Sequence, residues 1–242
     1  MKKVFSILAV WMVCLTACAV TPTPEIEENM NTQTAEVSHP FPAHTIYAPG
    51  TILPNHRTQQ HLDDDVRAFY DYWKAAYVIQ DGLDEDGHKL FRIAFGGDAE
   101  GQANTVSEGQ GFGMIILPVM AGYDPDAQII FDGLWRFARL HPSEVDVRLM
   151  DWNLVDEEGN DSAFDGDADM ALGLLMADAQ WGSQGEINYL DEARTLITAI
   201  LESTIGPESR LPTLGDWVDA NSEEYNQFTP RSSDFMLVNF RA

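Results

Sequence analysis

The chain is poor in cysteine, in positive charge and in long apolar runs, and each shortage excludes something. It has two cysteines, Cys14 and Cys18, in 242 residues. Both lie near the start, so no disulfide framework holds a folded body together and stability must come from packing. Lysine and arginine number 14 against 39 acidic residues, a formal charge of −25. Phosphate backbones would be repelled, which excludes nucleic-acid binding by counterion release and leaves neutral or cationic partners. The most apolar run, Val4 to Leu15, has 12 residues, whereas a helix needs about 20 to span a bilayer. At 45% apolar content the remainder can bury one sizeable core, so one folded domain with a tail is expected rather than a disordered chain.

That run follows Lys2 and Lys3, the layout of a secretory signal, and closes on Leu15-Thr16-Ala17-Cys18. The closing string resembles the bacterial lipoprotein signal, in which cleavage precedes the cysteine and its thiol is joined to diacylglycerol. Residues 1–17 are then a signal peptide and Cys18 a lipid anchor, giving an exported protein held to the membrane of the cell envelope. Residues 18–54 are rich in Thr, Pro, Glu and Asn without apolar periodicity, so they cannot bury enough surface to offset chain entropy and read as a flexible tether. The folded domain is expected over 55–242.

Within it, helix patterns follow one another. From His61 to Val78, Leu62, Val66, Phe69, Tyr70, Trp73 and Tyr77 recur at spacings of three and four, with Asp63, Asp64 and Asp65 in the first turn. A second helix is expected from Ser107 to Gly122. A third is expected with Asp124 as N-cap and Pro125 at its first position, carrying Ile130, Leu134, Phe137 and Ala138 on one stripe to Leu140. A fourth is expected after Asp167, with Met170, Leu174, Ala177 and Trp181 on one face. A fifth spans Tyr189 to Ser203, and a last begins near Ser232. Strand signals are short, Lys89 to Ala94 and Met150 to Val155, each beside an acidic turn (84–87 and 156–160). Hairpins capping a helical body are expected. The first turn shares part of a calcium loop but lacks its spaced ligands and terminal Glu, so a plain turn is the better reading.

Two acidic segments carry the chemistry. In Ser107-Glu108-Gly109-Gln110-Gly111-Phe112-Gly113-Met114, Ser107 and Gln110 have capping-box spacing. Capping leaves unexplained the three glycines, each costing about 1 kcal/mol in a helix unless a packed neighbour or a bulky ligand must approach the backbone. Glu108 sits where the helix dipole favours its anion, so burial or a second carboxylate is needed to make it a proton donor. Asp165-Gly166-Asp167-Ala168-Asp169 supplies such carboxylates at another helix entry. Helix capping and a calcium site are the alternatives there.

These two segments, with Leu149-Met150-Asp151-Trp152, Gly215-Asp216-Trp217 and Arg231-Ser232-Ser233-Asp234-Phe235, resemble glycoside hydrolase family 8 from about His61 to Ala242. The resemblance implies an all-α (α/α)6 barrel with short β hairpins in its loops, and an acidic cleft for a β-linked polysaccharide. It implies that Glu108 is the proton donor and that Asp165 holds the sugar at the cleavage point. Trp152 and Trp217 would be stacking platforms, and Gln110 joins them as a substrate-binding residue. An inverting endo-β-1,4-glucanase acting as a monomer is expected, with no cofactor or metal. Chitosan or xylan cleavage, or a carbohydrate-binding lipoprotein without turnover, are the alternatives. Phe164 departs from the family's usual Ser or Thr. The family segment is interrupted at Ala242, so the barrel is expected to be incomplete here, with the general base beyond it and an unfinished helical face exposed.

Overall fold

A computed structural model describes residues 37–46, 48–96, 104–154 and 160–242. The signal peptide, Cys18, most of the tether and most of the acidic turn at 156–160 lie outside the described residues. Five α-helices and one two-stranded antiparallel sheet make up the regular structure among those described.

Helix α1, Gln59–Tyr77, starts two residues earlier than its apolar pattern because Thr58 caps it, its hydroxyl accepting the His61 N–H. Asp63, Asp64 and Asp65 therefore fall beyond the first turn. Tyr70 is buried, whereas Val66 and Phe69, of the same expected stripe, are exposed. The chain then turns directly into a hairpin, β1 (Val78–Leu83) and β2 (Lys89–Ile93), with Val78 opposite Ile93 and Leu83 opposite Lys89. The intervening turn is a plain one: Asp84 Oδ1 accepts the N–H groups of Asp86 and His88, and Gly87 takes a positive φ of 87°.

Helix α2 is Ser107–Met120, and the capping box expected at its start is absent. Ser107 is already helical, Val106 holds the N-cap position, and no side chain caps the end. The backbone does that work instead, since the Ser107 N–H donates to the Trp152 carbonyl at 3.0 Å. Helix α3, Ala127–Leu140, starts later than expected, with Asp126 rather than Asp124 at the N-cap position. Asp124 still caps the turn that leads into α3, its Oδ1 accepting the Asp126 N–H at 3.0 Å, while its Oδ2 accepts from the Tyr70 hydroxyl and from Lys74 at 2.7 Å on α1. The stripe Ile130, Leu134, Phe137 and Ala138 is buried as its spacing predicts.

Helix α4, Phe164–Trp181, begins before Asp167 and is buried on most of its circumference, with Phe164, Met170, Leu174 and Ala177 in the core. Helix α5, Tyr189–Ser203, is capped by Asn188 and packs on α4. Helix α4 is the centre of the body, lying against both α2 and α5. Residues 150–154 form no strand: Met150 and Asn153 make single bridges to Pro142 and Val106. The last helix is replaced by two 3₁₀ turns, Ser232–Asp234 and Asn239–Arg241, separated at Phe235 by a non-helical ψ of 64°.

The tether expected to run to residue 54 meets the body earlier. The Ser38 and His39 N–H groups donate to the Gln180 carbonyl and Oε1 (3.3 and 2.6 Å). Gln180 Nε2 donates in turn to the carbonyls of His39 and Pro118. Pro40 rests on Gly122, where a Cβ would come within 2.5 Å of its ring.

Candidate active site

The first turns of α2 and α4 touch backbone to backbone. A Cβ on Gly166 would lie 2.6 Å from the Ser107 carbonyl carbon, and one on Gly111 would lie 2.6 Å from Asp169 Cβ and 3.0 Å from the Gly166 oxygen. Gly113 admits Ile93 in the same way, at 2.7 Å, whereas Gly109 has ordinary contacts no closer than 3.6 Å. The glycine spacing thus reflects close packing of neighbours, and it sets Glu108, next to Ser107, beside Asp165, next to Gly166.

Glu108 is solvent-exposed on its helix end. Partial desolvation first, then the charges of Asp165 and Asp234, hold its carboxyl above the usual range against the lowering pull of Arg231. The shift runs opposite to the one the helix end alone would impose. Asp165 accepts its neighbour Gly166's N–H at 2.9 Å and faces Arg231 Nη2 at 3.4 Å. Phe164 makes no polar contact to Asp165; it is buried and packs on Phe240, with ring centres 6.0 Å apart. Asp169, also raised by burial, accepts from Asn239 Nδ2 at 2.8 Å, which pins the last 3₁₀ turn to α4.

Trp152 and Trp217, 36% and 41% exposed, line a cleft of about 370 Å³ with Asp161, Leu214 and Arg231. Neither indole is a core residue. Trp217 is backed edge-on by Tyr225 at 5.7 Å. Its neighbour Asp216 is a buried hub, accepting from the Ser143 hydroxyl (2.6 Å) and from the N–H groups of Asp146 and Ser162.

Gln110 corrects an expectation: it is fully buried and not available to substrate. Its Oε1 accepts the Ile93 N–H at 3.1 Å and its Nε2 donates to the Leu134 carbonyl at 2.9 Å, so it joins β2 to α3. Asp167 is likewise structural. One carboxyl oxygen accepts the Met150 N–H at 3.0 Å, and the other is buried beyond close hydrogen-bond geometry, with the Ser162 side chain acting weakly on the carboxyl. Burial raises its pKa well above the ordinary carboxylate value. Its ionisation then costs stability as pH rises from the unfolded pKa through the folded one, and that cost is absent below both. Asp167→Asn, which keeps the Met150 bond, is expected to stabilise the fold at neutral pH by on the order of 1 kcal/mol. Melting curves across pH should show the gain vanish in acid.

Sequence reasoning assigned no role to Arg231 or Asp234. Arg231 reaches both Asp165 and the tryptophan cleft, and its Nε donates to fully buried Asp234 at 3.1 Å. The available signal was an Arg and an Asp three residues apart in a chain with few cations.

The chain is thus a helical protein in which carboxylates gather on two adjoining helix ends and Arg231 links them to a cleft lined by two exposed indoles, groups suited to proton transfer and to apolar stacking. Residues 52–231 match the family described as Glycosyl hydrolases family 8, and the chain belongs to that family. It is 42% identical over 212 residues to a beta-glucanase of Niallia circulans, covering 86% of this chain and 49% of that protein. An endoglucanase of Bacillus sp. strain KSM-330 is 35% identical, with 100% of this chain and 56% of that one covered. The chain spans about half the length of these relatives. The apo structure of a beta-1,3-1,4-glucanase from Paenibacillus sp. X4 superposes with a TM-score of 0.74 at 41% identity, covering 84% of this chain and 52% of that one. A cold-adapted family 8 xylanase solved with substrate shares the fold, with a TM-score of 0.53 at 21% identity over 68% of this chain and 43% of that chain.

Proposed function

We propose that this chain carries the proton donor and the sugar-holding carboxylate of an endo-acting, inverting glycoside hydrolase that cleaves β-1,4-linked glucan. Its helices would belong to an (α/α)6 barrel, and the protein would be exported and lipid-anchored at Cys18. The observation that carries the reading is the Ser107–Gly166 contact, which brings the helix starts bearing Glu108 and Asp165 together, with Arg231 reaching from Asp165 to the tryptophan cleft. Glu108, whose carboxyl is shifted upward by desolvation and by Asp165, would donate its proton to the glycosidic oxygen. Asp165, paired with Arg231, offers negative charge to the oxocarbenium-like ring. The indole faces of Trp152 and Trp217 would hold neighbouring sugars by stacking. In inverting enzymes water attacks the opposite ring face, and roughly 6.5–9.5 Å separates acid from base to admit it.

The beta-glucanase and endoglucanase relatives favour β-glucan over xylan or chitosan as substrate. Reducing-sugar release by the protein at the full length of its relatives should be measured on carboxymethylcellulose, mixed-linkage β-glucan, xylan and chitosan, with proton NMR of the first product anomer. Release from the glucans with inverted configuration is expected. Release from chitosan or xylan alone would move the assignment to those substrates, and no release from any of them would refute it.

A further inference from the structure

The site holds an arrangement that the acid-and-shelf reading leaves unused. Arg231 is a cation among three carboxylates, Glu108 on α2, Asp165 on α4 and Asp234 three residues along its own segment, while Asp169 on α4 feels the charges of Asp165 and Glu108. It is half-exposed at the cleft, while its partner Asp234 is fully buried and also accepts from the Ser233 hydroxyl at 3.1 Å. The Asp234 N–H donates to the Arg231 carbonyl at 3.2 Å, closing the 3₁₀ turn, so the pair is braced by backbone and side chain together. A buried carboxylate with a single cationic partner is a fixed mount for that cation. From this mount the far end of the guanidinium, Nη2, reaches Asp165 Oδ2.

We infer that Arg231, seated on Asp234, is a positioning residue for the reaction: it fixes the Asp165 carboxylate toward the bound sugar and sets the charge balance felt by Glu108. The inference rests on the proposed hydrolase activity. Its chemistry is that of a shared counter-ion. Two anions next to a proton donor would raise the donor's pKa, and one cation between them partly cancels this. Each of the two side chains thus acts on Glu108 with its own sign, Arg231 lowering its pKa and Asp234 raising it.

Opposite signs make the test specific. Arg231→Gln is expected to move the alkaline limb of kcat/KM to higher pH, because Glu108 then holds its proton longer. Asp234→Asn is expected to move it to lower pH. Arg231→Gln should also lower kcat by about tenfold to a hundredfold through misplacement of Asp165, and Arg231→Lys should restore the pH limb. A purely structural role would lower the amount of folded enzyme and leave both limbs in place. Arg231 is exposed enough for its variant to fold even where Asp234→Asn does not, so the first variant decides alone if necessary. Carbon-13 titration of the Glu108 carboxyl in the same proteins reads the shift without any turnover. If the wild type cleaves glucan but neither limb nor titration moves in Arg231→Gln, the inference is wrong and the hydrolase reading stands. If no glycan is cleaved, the hydrolase reading fails, and an unshifted titration would additionally remove Arg231 from any electrostatic role.

Discussion

Glu108→Gln is expected to reduce kcat by at least ~100-fold while leaving oligosaccharide affinity nearly unchanged, since a positioned general acid contributes about 10²–10⁴ in rate. Glutamine matches glutamate in shape and still donates a hydrogen bond to the glycosidic oxygen, but it cannot deliver a proton as the bond breaks. The variant also has a stability signature. A carboxyl with a raised folded-state pKa destabilises the fold progressively as pH rises from its unfolded value through its folded one. Removing it should therefore leave the melting temperature at neutral pH equal to or above that of the wild type, with no difference in acid. Steady-state kinetics, calorimetric binding of a cello-oligosaccharide and melting curves together check this. Wild-type turnover in the variant would remove Glu108 from proton donation.

Gly166→Ala is expected to cost about 100-fold in kcat/KM and about 1–3 kcal/mol in stability. Its added methyl would meet Ser107 Oγ at 2.1 Å and the Ser107 carbonyl carbon at 2.6 Å. The hydroxyl can rotate away, but the backbone carbon cannot, so α2 and α4 must move apart at the level of Glu108 and Asp165. Gly109→Ala is the control. Its methyl finds nothing closer than Ile93 at 3.6 Å, so helix propensity should add up to about 1 kcal/mol of stability. Both variants can be read by chemical denaturation and by initial rates. A Gly166→Ala protein with wild-type kinetics would show that the helix contact does not govern the site.

The parts legible in the sequence were those written as periodicity or as ordered motifs. The stripe of α3 and the position of α5 follow from spacing alone, and the paired acidic motifs placed Glu108 and Asp165 at helix starts. Gln110 was misread because a polar amide in a glycine-rich string looks like a binding group. Only the fold shows that an N–H on β2 and a carbonyl on α3 converge on it. The docking of Ser38 and His39 carries no apolar pattern at all, because it is made by backbone groups and one glutamine from elsewhere in the chain. Arg231 and Asp234 stand in the Arg231-Ser232-Ser233-Asp234-Phe235 motif, yet their meaning depends on Asp165, far earlier in sequence. Helix α1 shows the reverse case: its stripe is clear, but among the described residues half of it finds nothing to bury against.

Both indoles are tied to the helix starts that carry the acids. The Trp217 loop, moored through Asp216 to Ser143 and Ser162, also takes the Phe164 N–H on its Leu214 carbonyl, and the Trp152 carbonyl takes the Ser107 N–H. Under the proposed function, a substitution that shifts either mooring would therefore move a stacking face and an acid together. Glycan preference and turnover would then drift as linked traits in an evolving lineage.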